Sequence, residues 1–205
     1  HFELLLESEL KNNKNSFYFI QIGANDGVGF DVLYNYVTKY NCKGIVVEPL
    51  KFYFDKLKDN YSKFKNILPL NLAVHHSDKN AFIYHVDPNK LKKYSKWAQG
   101  IGSLNSKHYC NSKIDNNDIV KEKVNCIHLM DLIKKHNVEN ISLLQIDVEG
   151  YDAEVLKMLN LDIIKPKIIK YEIASLLKED ADLVYKKLIN HGYSIFTQEQ
   201  DNIAY

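Results

Sequence analysis

The chain has 205 residues, 45% of them apolar, and a formal net charge of +1, which suits one domain with a sizeable core and gives no global field to draw in a polyanion or a membrane surface. All 27 basic residues are Lys, and without a guanidinium fork to read guanine, sequence-specific nucleic-acid recognition is not expected. Cys42, Cys110 and Cys126 are widely spaced and form no C-x-x-C pair, so a reducing, cytoplasmic setting is expected instead of a disulfide framework or zinc knuckle, and no run reaches the roughly eighteen apolar residues of a membrane span.

Residues 3 to 12 read as an amphipathic lead-in helix with Leu5, Leu6 and Leu10 on one side; the chain opens on His1, which leaves room for a leader or anchor upstream. The apolar run Phe17 to Ile22 then breaks into Gly23, Gly27 and Gly29, and Phe30 to Tyr40 follows with Val32, Leu33, Tyr36, Val37 and Tyr40 at helical spacing. Strand, tight loop and helix in that order suit a nucleotide-like ligand. Glycines turn the chain and let it approach the ligand, and a helix start offers unpaired N–H groups. The spacing Gly-x-Asn-x-Gly-x-Gly is not the dinucleotide fingerprint. Gly44 to Glu48 is a second strand, ending in a carboxylate about twenty residues past the loop. Pro49 disfavours helical geometry at Glu48 and suits the first turn of a helix from Lys51 to Asn60. The two oxygens of Glu48 match the two ribose hydroxyls of an adenosine-containing cofactor.

Ile67 to Val74 reads as a third strand and Ala81 to His85 as a short extra one. The polar stretch from Asp87 to Asn117 breaks the alternation and is too long for an ordinary connection. Val120 to Ile127 resumes strand-like alternation, and His128 to His136 is helical. A fourth strand (142–147), a helix from Asp152 to Leu159, a fifth strand from Ile168 to Glu172 and a helix from Lys178 to Asn190 follow, with His191-Gly192 as a C-terminal cap. Tyr193 to Thr197 and Asn202 to Tyr205 close the chain as a hairpin. The alternation predicts a parallel sheet covered on both faces, in a single domain 1–205 with 87–117 as an acceptor-binding insertion or lid.

The run Ile141 to Leu156, with Ile146-Asp147-Val148-Glu149-Gly150 at a strand-to-helix junction, resembles the signature of the FkbM-type S-adenosylmethionine-dependent methyltransferases. With the loop at Gly23 to Gly27, Glu48-Pro49, Leu72-Ala73-Val74, Gly100-Ile101-Gly102-Ser103-Leu104 and Asp201-Asn202-Ile203, the resemblance covers nearly the whole chain. It implies an α/β, Rossmann-like class I methyltransferase fold. Such a fold has a mostly parallel seven-stranded sheet, helices on both faces and a terminal antiparallel hairpin that a dehydrogenase domain generally lacks. It implies S-adenosyl-L-methionine as cofactor, with Gly23, Asn25, Asp26 and Gly27 around its methionine part, Glu48 on its ribose and Ala73 near its adenine. His75-His76 after that turn departs from the pattern. An NAD-dependent oxidoreductase and a catalytically silent methyltransferase-fold binding module are the alternatives.

Methyl transfer from a sulfonium needs a positioned nucleophile and a route for the acceptor proton. Asp147 lies at the carboxyl end of the fourth strand, where open parallel sheets bind ligands, and is a candidate for orienting the cofactor, contacting the acceptor or taking part in catalysis. Glu149 reads as structural. Glu172 would stand beside Asp147, and the pair is a candidate holder of Mg2+ or Mn2+, although the resemblance requires no metal. The imidazoles eligible as general base are His75, His76, His85 and His108; His108 is favoured because it follows the Gly100 to Leu104 motif, whereas His128 and His136 flank a helix. Lys90, Lys92, Lys93, Lys96, Lys107 and Lys113 alternate with Tyr94, Trp97 and Tyr109, a composition suited to a sugar carrying phosphate. Trp97, Ser103, His108 and Glu172 are therefore the expected contacts to a small-molecule or saccharide acceptor. The expected reaction is O-methylation of a sugar or glycoconjugate hydroxyl.

Overall fold

The computed structural model describes residues 1–29, 32–77, 79–105 and 113–205. Helix α1 (Phe2–Asn12) buries Phe2, Leu6 and Leu10, which four-residue spacing places on one face. Strand β1 (Tyr18–Ile22), helix α2 (Leu33–Lys39), β2 (Lys43–Val47), α3 (Lys51–Asn60) and β3 (Ile67–Leu70) form two strand–helix–strand units. Next come β4 (Ala73–Val74), β5 (Asn80–Val86), β6 (Gly102–Ser103) and β7 (Ile119–Ile127). Helix α4 (Leu129–Lys135), β8 (Leu143–Ile146), α5 (Asp152–Met158), β9 (Ile168–Glu172), α6 (Lys178–Asn190), β10 (Ile195–Gln198) and β11 (Asp201–Ala204) complete the chain.

The main sheet has seven strands in the order β3-β2-β1-β8-β9-β11-β10. Strand β11 runs antiparallel to both neighbours and the other pairings are parallel, so the terminal hairpin and the mostly parallel sheet are as the sequence predicts. One face carries Ile20, Ile22, Leu144 and Ile146 against Leu132, Val155, Leu156, Val184 and Leu188 of α4, α5 and α6. The other carries Phe19, Val46, Leu143 and Ile168 against Leu6, Leu33, Val37 and Leu57 of α1, α2 and α3. The chain leaves β1 toward β2 on one side, and β8 fills the other side. That reversal opens a crevice at the carboxyl ends of β1 and β8, where this architecture binds ligands.

Two expectations change. Ile67 to Val74 is not one strand: the Asn71 side-chain amide donates to the carbonyls of Glu48 (3.0 Å) and Pro49 (2.8 Å), tying the chain over the end of β2. Ala73 and Val74 then pair with Cys126 and Ile127 in a second sheet of order β4-β7-β5-β6. Nor is the stretch from Asp87 irregular throughout its described part. Leu91, Ala98 and Ile114 pack with Val86 in a small core of their own. Buried Asp118 accepts from the Lys93 ammonium (2.9 Å) and the Tyr94 hydroxyl (2.6 Å), so both groups are spent on anchoring the segment. Pro69 sits in β3, an edge strand, where a missing N–H is tolerated.

Candidate active site

At the end of β1 the backbone turns through Gly23 (φ 81°), Asn25 (φ 49°) and Gly27 (φ 78°). A Cβ on Gly23 would lie 1.7 Å from the carbonyl oxygen of Asp147. Glycine at this position therefore serves backbone-to-backbone packing of two strand ends. The Asp26 carboxylate closes the turn by accepting the N–H groups of Val28 (2.9 Å) and Gly29 (2.7 Å).

Glu48, 5% exposed, stands at the end of β2 beside this loop. Its Oε2 accepts the Asn25 N–H and its Oε1 the Leu50 N–H, each at 2.9 Å, and each oxygen keeps a further lone pair. Burial pushes the carboxyl up to about 7 against the pull of those two N–H groups, with the charges of Glu122 and Asp147 adding to the rise.

Two cavities meet at the loop. A slot of about 50 Å³ lies among Glu48, Leu50, Ala73, Ile83, Gly102 and Leu104. A wider cleft of about 520 Å³ extends over Gln21, Trp97, Gln145, Lys170, Glu172 and Gln200. Gly23, Asn25, Gly100, Asp147 and Glu149 wall both. The cleft has the volume of an ordinary ligand site, whereas the slot holds only a few waters. A planar base enters the slot only when Leu50, Ile83 and Leu104 part.

Carboxylates crowd the ends of β8 and β9. Glu149 has a left-handed backbone (φ 53°), and the Ser103 hydroxyl of β6 donates to its carbonyl at 2.9 Å. Its carboxyl is pushed up to about 8, first by burial and then by Asp147, Glu172 and Asp152. Asp152, fully buried at the start of α5, accepts the N–H groups of Val148 and Glu172, both at 3.3 Å, and so ties the ends of β8 and β9 together. Burial and the same neighbours push it up to about 8 as well. Like charges this close do not all ionise at neutral pH. Among the described residues, no group of three or more His, Cys, Asp or Glu is placed to hold a metal ion, so the pair Asp147 and Glu172 gains no third such ligand.

A family model described as the methyltransferase FkbM domain matches residues 21–195, a span that includes the loop, Glu48 and the β8–α5 junction. The chain belongs to the FkbM methyltransferase family. It is an S-adenosylmethionine-dependent methyltransferase. Among solved structures, methyltransferase FkbM from Methylobacillus flagellatus KT aligns with TM-score 0.55 and 12% identity over 93% of this chain and 44% of its own. The METTL16 methyltransferase domain gives 0.52 and 13% over 99% and 64%. A precorrin-6y C5,15-methyltransferase from Geobacter metallireducens GS-15 gives 0.51 and 12% over 99% and 86%. At such identities the likeness is one of fold, and this chain spans less than half of the Methylobacillus protein. No curated protein sequence matches.

In this FkbM domain, Glu48 and Ala73 line the slot, Gly27, Trp97 and Glu172 line the cleft, and Gly23, Asn25 and Asp147 wall both. Asp26 lines neither, and its Oδ1 accepts two N–H groups within the loop. Ser103, 1% exposed, also lines neither; its oxygen serves the Glu149 carbonyl and the Asn105 N–H. His75 stacks on Tyr151, His76 hydrogen-bonds the Tyr151 hydroxyl, and buried His85 donates to the Val86 carbonyl. None of these histidines borders either cavity. His108, Lys107, Tyr109 and Cys110 lie outside the described residues. Glu149, which the sequence reads as structural, borders both cavities; its only local signal is its place before Gly150 at a strand end. Gln21, Gln145 and Lys170 also line the cleft, and no motif or spacing in the sequence singles them out. No helix among the described residues is long and apolar enough to cross a membrane.

Proposed function

We propose that this domain transfers a methyl group from S-adenosylmethionine to a saccharide hydroxyl, with the adenosine part of the cofactor in the slot and the acceptor in the cleft. The observation that supports this reading is the wall common to both cavities. Gly23, Asn25, Asp147 and Glu149 would let a methyl donor held in the slot present its methyl group to the cleft, and positioning is much of what methyl transfer requires.

The residues present fit the cofactor. The remaining lone pairs of Glu48 would accept from the two ribose hydroxyls, Leu50, Ala73 and Ile83 would offer apolar walls to the base, and Asp147 would be an acid for the methionine ammonium. When bound, the cofactor supplies a methyl group already activated by sulfonium. The protein's task is then to orient the acceptor oxygen and accept its proton. Glu149 is the group placed for that second task, because it borders both cavities and its carboxyl is held near the working pH. The Ser103 hydroxyl fixes its backbone. Trp97, 46% exposed, presents a ring to the cleft on which pyranose C–H surfaces can pack. Trp97, Gly100, Ile101, Gly102 and Leu104 line the two cavities, which supports an acceptor-binding role for the stretch they belong to. Free Cys42 and Cys126 suit a reducing, cytoplasmic setting.

The test is to supply the purified domain with methyl-labelled S-adenosylmethionine and, in parallel, methyl glycosides, a protein extract and total RNA. Label is expected in the glycosides. Label confined to protein or RNA would overturn the saccharide reading.

A further inference from the structure

Strands buried on both faces of a parallel sheet read as near-continuous apolar runs, and this sheet breaks that rule at one level. Gln21 of β1 is in register with Gln145 of β8, and Gln145 with Lys170 of β9. In-register neighbours project from the same face, here the face that carries Phe19, Leu143 and Ile168 one pleat below. Both glutamines are 3% exposed, and all three residues line the 520 Å³ cleft. One pleat above, Glu172 is in register with Asp201. The Lys170 ammonium meets the Asp201 carboxylate at 2.6 Å, so its charge is already neutralised. The Glu172 Oε2 is buried without a hydrogen-bond partner. A buried polar group left this way is costly unless something donates to it.

We propose that the row Gln21, Gln145 and Lys170, with Glu172 above it, is the acceptor-recognition floor and selects an uncharged polyhydroxyl ring over a phosphorylated or carboxylated one. The proposal rests on the saccharide reading and adds a charge rule to it. Amide side chains both donate and accept, which suits hydroxyls that do the same. Glu172 has a side-chain hydrogen bond with Ser175, but its Oε2 is left without a partner and accepts from a hydroxyl set against it, whereas an ionised phosphate or carboxylate in that place has no proton to donate. Among the described residues, the ionisable groups lining the cleft are the carboxyls of Asp147, Glu149 and Glu172 and the single paired Lys170. The three carboxyls do not all ionise together, but an anion entering adds to the repulsion that, after burial, already raises Glu149 and Glu172, and it meets no unpaired cation among those groups. Of the lysines that suggest a sugar phosphate from sequence, the described ones do not line this cleft: Lys93 pairs with Asp118, and Lys90, Lys92, Lys96 and Lys113 are absent from its walls.

The experiment uses the domain saturated with S-adenosylhomocysteine and ligand-observed NMR titration. The probes are methyl glucoside, galactoside and mannoside, the glucoside phosphorylated on its primary hydroxyl, and methyl glucuronoside. The neutral glycosides are expected to bind about tenfold or more tightly than their charged counterparts, the loss of one well-made polar contact. Gln145→Leu, with volume kept, should weaken the neutral glycosides by about tenfold while the affinity for S-adenosylhomocysteine stays unchanged. Asp201→Asn, at the rim, releases the Lys170 charge and should narrow or reverse the preference against the phosphorylated glycoside. Loss of S-adenosylhomocysteine binding in folded Gln145→Leu would assign the row to the cofactor and overturn the proposal. Equal binding of neutral and charged glycosides by the unmodified domain would overturn it too, as would an unchanged preference in Asp201→Asn. If no glycoside of either charge binds the unmodified domain, it is the saccharide reading itself that fails.

Discussion

Replacing Glu48 by Gln separates what this side chain does for the fold from what it does for the cofactor. In the wild type both carboxylate oxygens accept a backbone N–H, from Asn25 and from Leu50, each at 2.9 Å. Glutamine keeps one oxygen and sets an NH2 group against the other N–H, leaving a buried donor opposed by a donor. An orphaned buried group of that kind costs about 1–3 kcal/mol of stability. The same change removes one of the two acceptors offered to the ribose diol, and a hydrogen bond to a charged group contributes about 1.5–3 kcal/mol. Affinity for S-adenosylhomocysteine should therefore fall by about 10- to 150-fold, since 1.4 kcal/mol is tenfold. Urea unfolding of the ligand-free protein reads the first effect, and isothermal titration well below the melting transition reads the second. A folded Glu48→Gln protein that binds S-adenosylhomocysteine as tightly as the wild type would place the ribose elsewhere and leave Glu48 as a loop anchor only.

Three further outcomes follow from the geometry. Gly23→Ala forces a Cβ to within 1.7 Å of the Asp147 carbonyl at a left-handed φ, so it should unfold the domain or cost more than about 3 kcal/mol; a melting curve matching wild type would refute the backbone contact between β1 and β8. Glu149→Gln should abolish the limb of the kcat/KM pH profile near pH 8 and lower turnover by roughly 10²–10⁴-fold, the range for removing a general base, with S-adenosylhomocysteine affinity retained; an unchanged profile would move proton removal to another group. Glu48, Glu149 and Asp152 all have carboxyls raised above their ordinary values of 4.5, 4.5 and 3.8. The folded state thus holds protons that the unfolded chain has released, and ligand-free stability should decline as pH rises from about 4 to about 8. Denaturant midpoints across that range would check the sign, and Glu149→Gln should flatten the slope.

Much of this protein is written in short-range chemistry. Hydrophobic runs of strand length, helical stripes such as Val32 to Tyr40, and loop glycines adjoining a strand end are local signals. They were enough to place the elements, the alternation and the terminal hairpin. Glu48 was legible for the same reason, because Pro49 and the preceding Gly44 to Val47 run fix it at a strand end whatever the rest of the chain does. Where local pattern misled, a distant partner was the cause. The side chain of Asn71 reaches the carbonyls of Glu48 and Pro49 and splits the third strand; Asp118 captures Lys93 and Tyr94; Ser103 turns inward to Glu149. No spacing in the sequence records these meetings.

The site shows the same division. That Asp147 would end a strand was readable in Ile146 to Gly150. That Gly23 must be glycine because the Asp147 backbone lies against it was not, since the two are neighbours only once β8 has inserted beside β1. Register across three strands likewise decides that Gln21, Gln145 and Lys170 share one level of the cleft. Each residue alone is an unremarked polar position in a strand. Burial and mutual repulsion, which exist only in the assembled crevice, are what raise Glu149 toward the working pH. Local sequence thus determined which backbone shapes form, because turn and strand preferences are settled within a few residues. Only the tertiary structure decided which side chains face one another across the crevice, because that depends on strand order and register.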